Sequence, residues 1–191
     1  MKKVKVDPFK FLDQVYRILA DSGALLASMK NDGSANVMAI GWALIGRMWE
    51  KDFALVAIRP SRYTSGFIEE SGEFTINIPT DDMKTTVEYC GTVSGRDVDK
   101  FKRKNLTPLR GMTVHSPIIE QCCLHYECKV VWKTILAPAM LPKDIISANY
   151  STGDFHTFYL GEILSVLADI DVEDKLKSQV QSNPEVMAGR D

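Results

Sequence analysis

The chain has 191 residues, 45% of them hydrophobic and 25% charged, with a formal net charge of −2. That length and apolar content suit one sizeable domain with a closed core, and the near-neutral balance excludes the strongly basic face of a nucleic-acid binder. No apolar run approaches the ~18 residues of a membrane helix, the basic N-terminus is interrupted by Asp7, Lys10 and Asp13 before any signal core, and four cysteines are too few for a secreted disulfide scaffold, so a cytoplasmic protein with free thiols is expected.

Taken in order, Asp7-Pro8 reads as a helix cap followed by proline at the first helical position, and Phe11, Leu12, Val15, Tyr16, Ile18 and Leu19 recur at helical spacing up to Gly23. The period then changes. Residues 24–30 (ALLASMK), the polar turn 31–34 (NDGS) and residues 35–44 (ANVMAIGWAL) predict a hairpin. Two further strands are expected over 53–59 and 73–79. The intervening SRYTSGFIEESG predicts a helix capped by Ser61, with Tyr63 and Phe67 on one face and Gly72 as its stop. Residues 81–90 and 97–104 predict two short helices, the second capped by Asp97. Long strands are expected over 118–136 and, after a polar loop, over 156–170. The last twenty residues are polar, giving a domain over 1–170 and a loosely held arm over 171–191.

Strands dominate, the helices are short, and no regular strand–helix alternation occurs. A mainly β fold follows, an antiparallel barrel with helical insertions. No GxGxxG or GxxxxGK[ST] is present, so the usual dinucleotide and P-loop sites are not expected.

Cys122, Cys123 and Cys128, with His125 among them, raise a metal site. Their segment reads as a strand, which places Cys122 and Cys128 on one side and Cys123 and His125 on the other. Cys122 and Cys128 would also stand roughly 20 Å apart at ~3.3 Å per residue. Four such ligands do not close one tetrahedron, so no metal is expected and these are packing residues.

Three stretches carry candidate chemistry. In Arg59-Pro60-Ser61-Arg62-Tyr63-Thr64 a helix start supplies free N–H groups and the positive end of its dipole, Ser61 and Thr64 add hydroxyls, and Arg59 and Arg62 add forked cations suited to a phosphate. Read alone, a capped helix with solvated arginines is the favoured account. In SGRDVDKF (94–101), Arg96 and Lys100 stand one helical turn apart, and read alone an ordinary capped surface helix is the better account. In NVMAIGW (36–42), Asn36 shares a strand face with Met38, Ile40 and Trp42, an odd place for an amide in a plain core but a fitting one for the wall of a polar-edged ring.

These blocks, with CGTVSGRDVDKF and HTFYLGEI, occur in order over about residues 24–168 and resemble the flavin reductase-like family, most closely its flavoredoxin branch. The resemblance implies an FMN-binding split barrel of six antiparallel strands, working as a homodimer with flavin near the subunit interface. It implies that Asn36, Val37, Met38, Ala39 and Trp42 meet the isoalloxazine, that Arg59, Ser61, Arg62 and Thr64 take the phosphate, and that Ser94, Arg96 and Lys100 approach from the other side. It further implies electron transfer from NAD(P)H or a reduced protein donor through FMN, with no acid–base pair or nucleophile required. A non-catalytic flavin-binding module and a pyridoxamine-phosphate-oxidase-like enzyme are the alternatives. Related reductases resemble one another in a Gly-Asp-His nicotinamide contact. Here His156 matches, but it follows Asp154-Phe155, with Gly153 one step early, so the tight turn and direct use of NADH are not expected. The sequence stops at Gly189-Arg190-Asp191 where relatives continue with an aromatic residue, which implies a missing lid over the flavin.

Overall fold

A computed structural model describes residues 2–181. In chain order its main elements are β1 (Lys3–Lys5), α1 (Leu12–Asp21), β2 (Ala24–Met29), β3 (Ala35–Ile40), β4 (Ala43–Met48), β5 (Lys51–Ile58), α2 (Tyr63–Ser71), β6 (Glu73–Ile78), α3 (Lys84–Thr92), α4 (Lys100–Arg103), β7 (Pro108–Leu109), β8 (Ile118–Ile119), β9 (Leu124–Ile135), α5 (Lys143–Asn149), β10 (Thr157–Asp169) and α6 (Val172–Gln181). No helix among the described residues is long and apolar enough to cross a membrane.

Seven strands run edge to edge in the order β3-β2-β6-β9-β10-β5-β4, every pair antiparallel, and β1 adds to β10. The 13-residue β10 explains how such a sheet curls. One of its edges pairs with β9 along its length, while the other pairs first with β5 (Thr157–Glu162) and then with β1 (Leu167–Asp169). Register shifts at Leu160/Gly161 and Ile163/Ser165 bend the strand between its two partners. The bend needs a residue without a side chain, since a Cβ on Gly161 would lie 2.7 Å from the Phe74 ring and 2.8 Å from Cys128. The two ends of the sheet approach each other where β3 packs on β5, and the β4–β5 ladder extends back to Trp42, whose carbonyl accepts from the Ala57 amide at 3.2 Å.

Strand alternation sends β2 into two cores. Ala24 and Leu26 join Ile76, Tyr126 and Val166 inside the curled sheet, whereas Leu25 and Ala27 pack outward with Val37 against Met83, Val87 and Cys90 beneath α3. This second layer is what fixes α3 and α4 over β3.

Several boundaries differ from the sequence reading. Residues 35–44 are not one strand: β3 ends at Ile40 and β4 begins at Ala43, so the six expected strands become seven along the sheet and Trp42 sits at the corner rather than on the Asn36 face. The β4–β5 hairpin turns at Trp49 and Glu50, both at positive φ, with no glycine to signal it. Asp7 accepts from the Phe9 amide at 2.8 Å and so starts a turn ahead of α1 rather than the helix itself. Asp99, not Asp97, caps α4, accepting from the Lys102 amide. Cys122 and Cys123 lie in the turn before β9, and all four cysteines are buried free thiols.

The boundary at 170 does not mark the edge of the core. Residues 172–181 form α6, and Val172 and Leu176 are buried in the main cluster, because two apolar residues four apart suffice to dock one helical turn. Asp169, at the end of β10, is held between Lys3 and Lys175, each 2.9 Å away. Residues 182–191, and with them the missing-lid expectation, lie outside the described residues.

Candidate functional site

The start of α2, the end of α3 and the loop 93–99 enclose a cleft of about 170 Å³ whose lining includes Asn36, Met38, Ser61, Arg62, Thr64, Ser94, Arg96 and Lys100. Eight of the thirteen residues singled out from sequence therefore meet in one place. Tyr63, Cys90, Gly91, Thr92, Val93 and Gly95 complete it.

Each polar group is held. Asn36 is buried and donates its amide to Thr64 Oγ1 at 2.8 Å, the partner a buried amide requires. Arg62 donates to Gly91 O at 3.0 Å, joining α2 to α3. Arg96 donates to Ser61 O at 3.0 Å and lies 5.1 Å over the Tyr63 ring, so the loop is folded down onto the helix start. Gly95 makes the closest approach: a Cβ there would fall 2.2 Å from Asn36 Oδ1. Lys100 is 4% exposed and donates to Val37 O at 3.0 Å and Cys90 O at 2.7 Å, which takes two of its three donors. Burial pulls its pKa below the ordinary lysine value, Cys90 opposes that, and Arg62 adds to it. The Cys90 thiol is pushed up by burial, against the pull of Lys100 and Lys104.

The other five predicted residues sit elsewhere. Val37 and Ala39 turn their side chains into the packing beneath α3, and Val37 offers its backbone carbonyl. Trp42 and His156 form a separate aromatic cluster with ring centroids 4.7 Å apart. Arg59 points to the turn before β10, donating to Asp154 O at 3.1 Å and Asn149 O at 2.7 Å and lying over Tyr150. His156 is buried and shares a 2.8 Å hydrogen bond with the Tyr150 hydroxyl. Desolvation lowers its pKa to about 4; Arg59 adds to that and Asp154 opposes it, leaving the ring neutral near pH 7.

Sequence reasoning missed Tyr150 and Asp154. It also denied the chain a tight Gly-Asp turn. One is present: Gly153 and Asp154 are both left-handed, at φ +78° and +56°, and Phe155 fills the extra position by stacking on Tyr150 at 4.6 Å. The signal was there in Gly153-Asp154, a pair that tolerates positive φ, but the motif spacing hid it. Among the described residues no three His, Cys, Asp or Glu side chains come together as metal ligands.

A family model described as "Flavin reductase like domain" matches residues 17–182. A protein of Archaeoglobus fulgidus is 34% identical over 131 residues, 69% of this chain and 64% of that protein, so the chain spans less than two thirds of that curated relative. Among solved structures, the flavoredoxin of Desulfovibrio vulgaris (Miyazaki F) is 27% identical with a TM-score of 0.62, covering 78% of this chain and 70% of that one. A split-barrel protein from Shewanella frigidimarina NCIMB 400 is 20% identical with a TM-score of 0.63, covering 86% and 77%, and shares the fold.

Proposed function

The chain belongs to the flavin reductase-like family, and on that premise we propose that it is an FMN-binding redox protein of the flavoredoxin type, passing electrons from NAD(P)H or a reduced protein donor to an acceptor. The observation that carries the reading is the convergence of Arg62, Arg96 and buried Lys100 with the hydroxyls of Thr64 and Ser94 around one helix start. The donor set fits the group: two guanidinium forks and a helix N-terminus suit a phosphate dianion, and Gly95 lets the 93–99 loop close directly onto the Asn36 amide, bringing Ser94 and Arg96 to the same cleft. Arg62, Thr64, Ser94 and Arg96 would hold the phosphate, and Asn36 with the β3 backbone would meet the polar edge of the ring. Bound FMN supplies the redox chemistry. Lys100 contributes a desolvated cation, which favours the redox state carrying more negative charge. Purified protein should carry one FMN per chain, with flavin absorbance bands; protein that neither retains nor takes up FMN would overturn the reading.

A cleft of about 170 Å³ is smaller than the ~300–1,000 Å³ of a complete ligand pocket, so one chain encloses only part of such a cofactor. A second wall is also suggested by the sheet. Leu44, Leu55, Leu160 and Trp132 lie in register across four strands and hence on one face; Leu44 is 69% and Trp132 49% exposed. Strand β4 is moreover a sheet edge. A homodimer covering this face is the expected state. Sedimentation at micromolar concentration should show a flavin-loaded dimer, and a monomer with full flavin occupancy would count against it.

The donor is expected to be a protein more than free NADH. His156 is buried, bonded to Tyr150 and packed on Trp42, so it is not presented to a nicotinamide. Steady-state turnover with NADH should be slow and turnover with a reduced electron-carrier protein faster. NADH reducing the flavin as quickly as the protein donor does would reverse this assignment.

A further inference from the structure

Helix α2 has no side-chain cap of its own, since Arg62, at the cap position, makes no such bond. The carboxylate that reaches this helix start comes from 93 residues away: Asp154 accepts from the Ser61 amide at 3.2 Å and from Ser61 Oγ at 2.6 Å. Its Oδ2 also lies 4.0 Å from the Arg59 guanidinium, which donates through Nη1 to Asp154 O and through Nη2 to Asn149 O and is thereby turned toward this segment. A carboxylate at the positive end of a helix is stabilised as a phosphate would be. It also takes two donors that a phosphate could otherwise use, the Ser61 amide and hydroxyl.

The turn that carries Asp154 is anchored at its flanks, where buried Tyr150 and His156 share a 2.8 Å hydrogen bond, and the Asp154 carboxylate ties its middle to the helix start. Helix α5, just before it, buries no side chain, and the turn runs through two successive left-handed residues, Gly153 and Asp154. Two residues further on, His156 takes its place against Trp42. The clasp thus joins the aromatic cluster to the helix start.

We propose that RPSRYT is two half-sites and that Asp154 is the positioning residue that separates them. The Arg59–Ser61 half is held by the 149–156 turn through the Asp154 carboxylate; the Arg62–Thr64 half, with Ser94 and Arg96, faces the ligand phosphate. This rests on the FMN reading and narrows it, removing two residues from the phosphate's partners and giving them to the turn.

The test measures backbone hydrogen exchange over 149–156 together with FMN and riboflavin affinities, on the wild type, Asp154→Ala, Arg59→Ala and Arg62→Ala. Asp154→Ala and Arg59→Ala should speed exchange across the turn by roughly tenfold or more. The ratio of FMN to riboflavin affinity should stay within about threefold of wild type in both, while Arg62→Ala lowers it by tenfold or more, on the order of 1.4 kcal/mol. Unchanged exchange in Asp154→Ala overturns the proposal, and so does an Arg59→Ala ratio that falls as far as that of Arg62→Ala. Should Asp154→Ala not fold, Asp154→Asn keeps the shape and one acceptor, and must show a smaller rise in exchange in the same segment. A wild type that binds neither flavin overturns the functional reading instead, and the exchange measurements then decide the clasp alone.

Discussion

Arg62→Ala is expected to weaken FMN binding by roughly 10- to 100-fold while leaving riboflavin binding and the melting point of the flavin-free protein nearly unchanged. A hydrogen bond to a charged group contributes about 1.5–3 kcal/mol, and about 1.4 kcal/mol corresponds to a tenfold change in affinity. Against this, Arg62 does little for the fold. Its side chain is exposed and makes one hydrogen bond, to Gly91 O at 3.0 Å, so its loss should change stability by no more than ~0.5 kcal/mol. Riboflavin lacks the phosphate and is the control. Parallel titrations of wild type and variant with the two ligands decide the matter: riboflavin binding that falls as far as FMN binding would make the arginine an organiser of the α2–α3 corner, not a phosphate ligand.

What could be read from the residues, and what could not, follows from the range of the forces involved. The RPSRYT stretch could be singled out as a candidate anion site at a helix start because backbone N–H groups, hydroxyls and cations were local in sequence. Its convergence with SGRDVDKF was also legible, since two basic blocks and a buried amide make little sense apart. The partition of Arg59 from Arg62 was not legible. It depends on Asp154, 93 residues from Ser61, and on a turn whose left-handed pair is one residue out of the expected spacing. Likewise the break between β3 and β4 has no strong punctuation: Gly41-Trp42 continues an apolar alternation, and only the closing of the sheet, where β3 packs on β5, forces the corner. The helix α6 was hidden for a related reason. A polar segment with Val172 and Leu176 looks like an arm until the core supplies a surface for those two side chains.

Gly95→Ala should damage the site through packing rather than charge, and so should lower FMN and riboflavin affinity together. A Cβ at this position would lie 2.2 Å from Asn36 Oδ1, 2.7 Å from its Cγ and 2.9 Å from its Nδ2, all far inside contact distance. One escape is for the amide to rotate. That breaks its 2.8 Å bond to Thr64 and leaves a buried amide unpaired, at a cost of about 1–3 kcal/mol. The other is for the loop 93–99 to lift, which pulls Arg96 from Ser61 O and from the Tyr63 ring and opens the cleft. Either way both flavins lose their wall, with an expected loss of roughly tenfold or more at ~1.4 kcal/mol per tenfold. A double-mutant cycle with Asn36→Ala separates this cause from others, because shortening the amide removes the atoms that the new methyl would meet. In the Asn36→Ala background, Gly95→Ala should cost at least ~1 kcal/mol less in thermal stability than it does alone. Equal costs in the two backgrounds would mean that Gly95 serves the backbone of the loop and not the placement of Asn36.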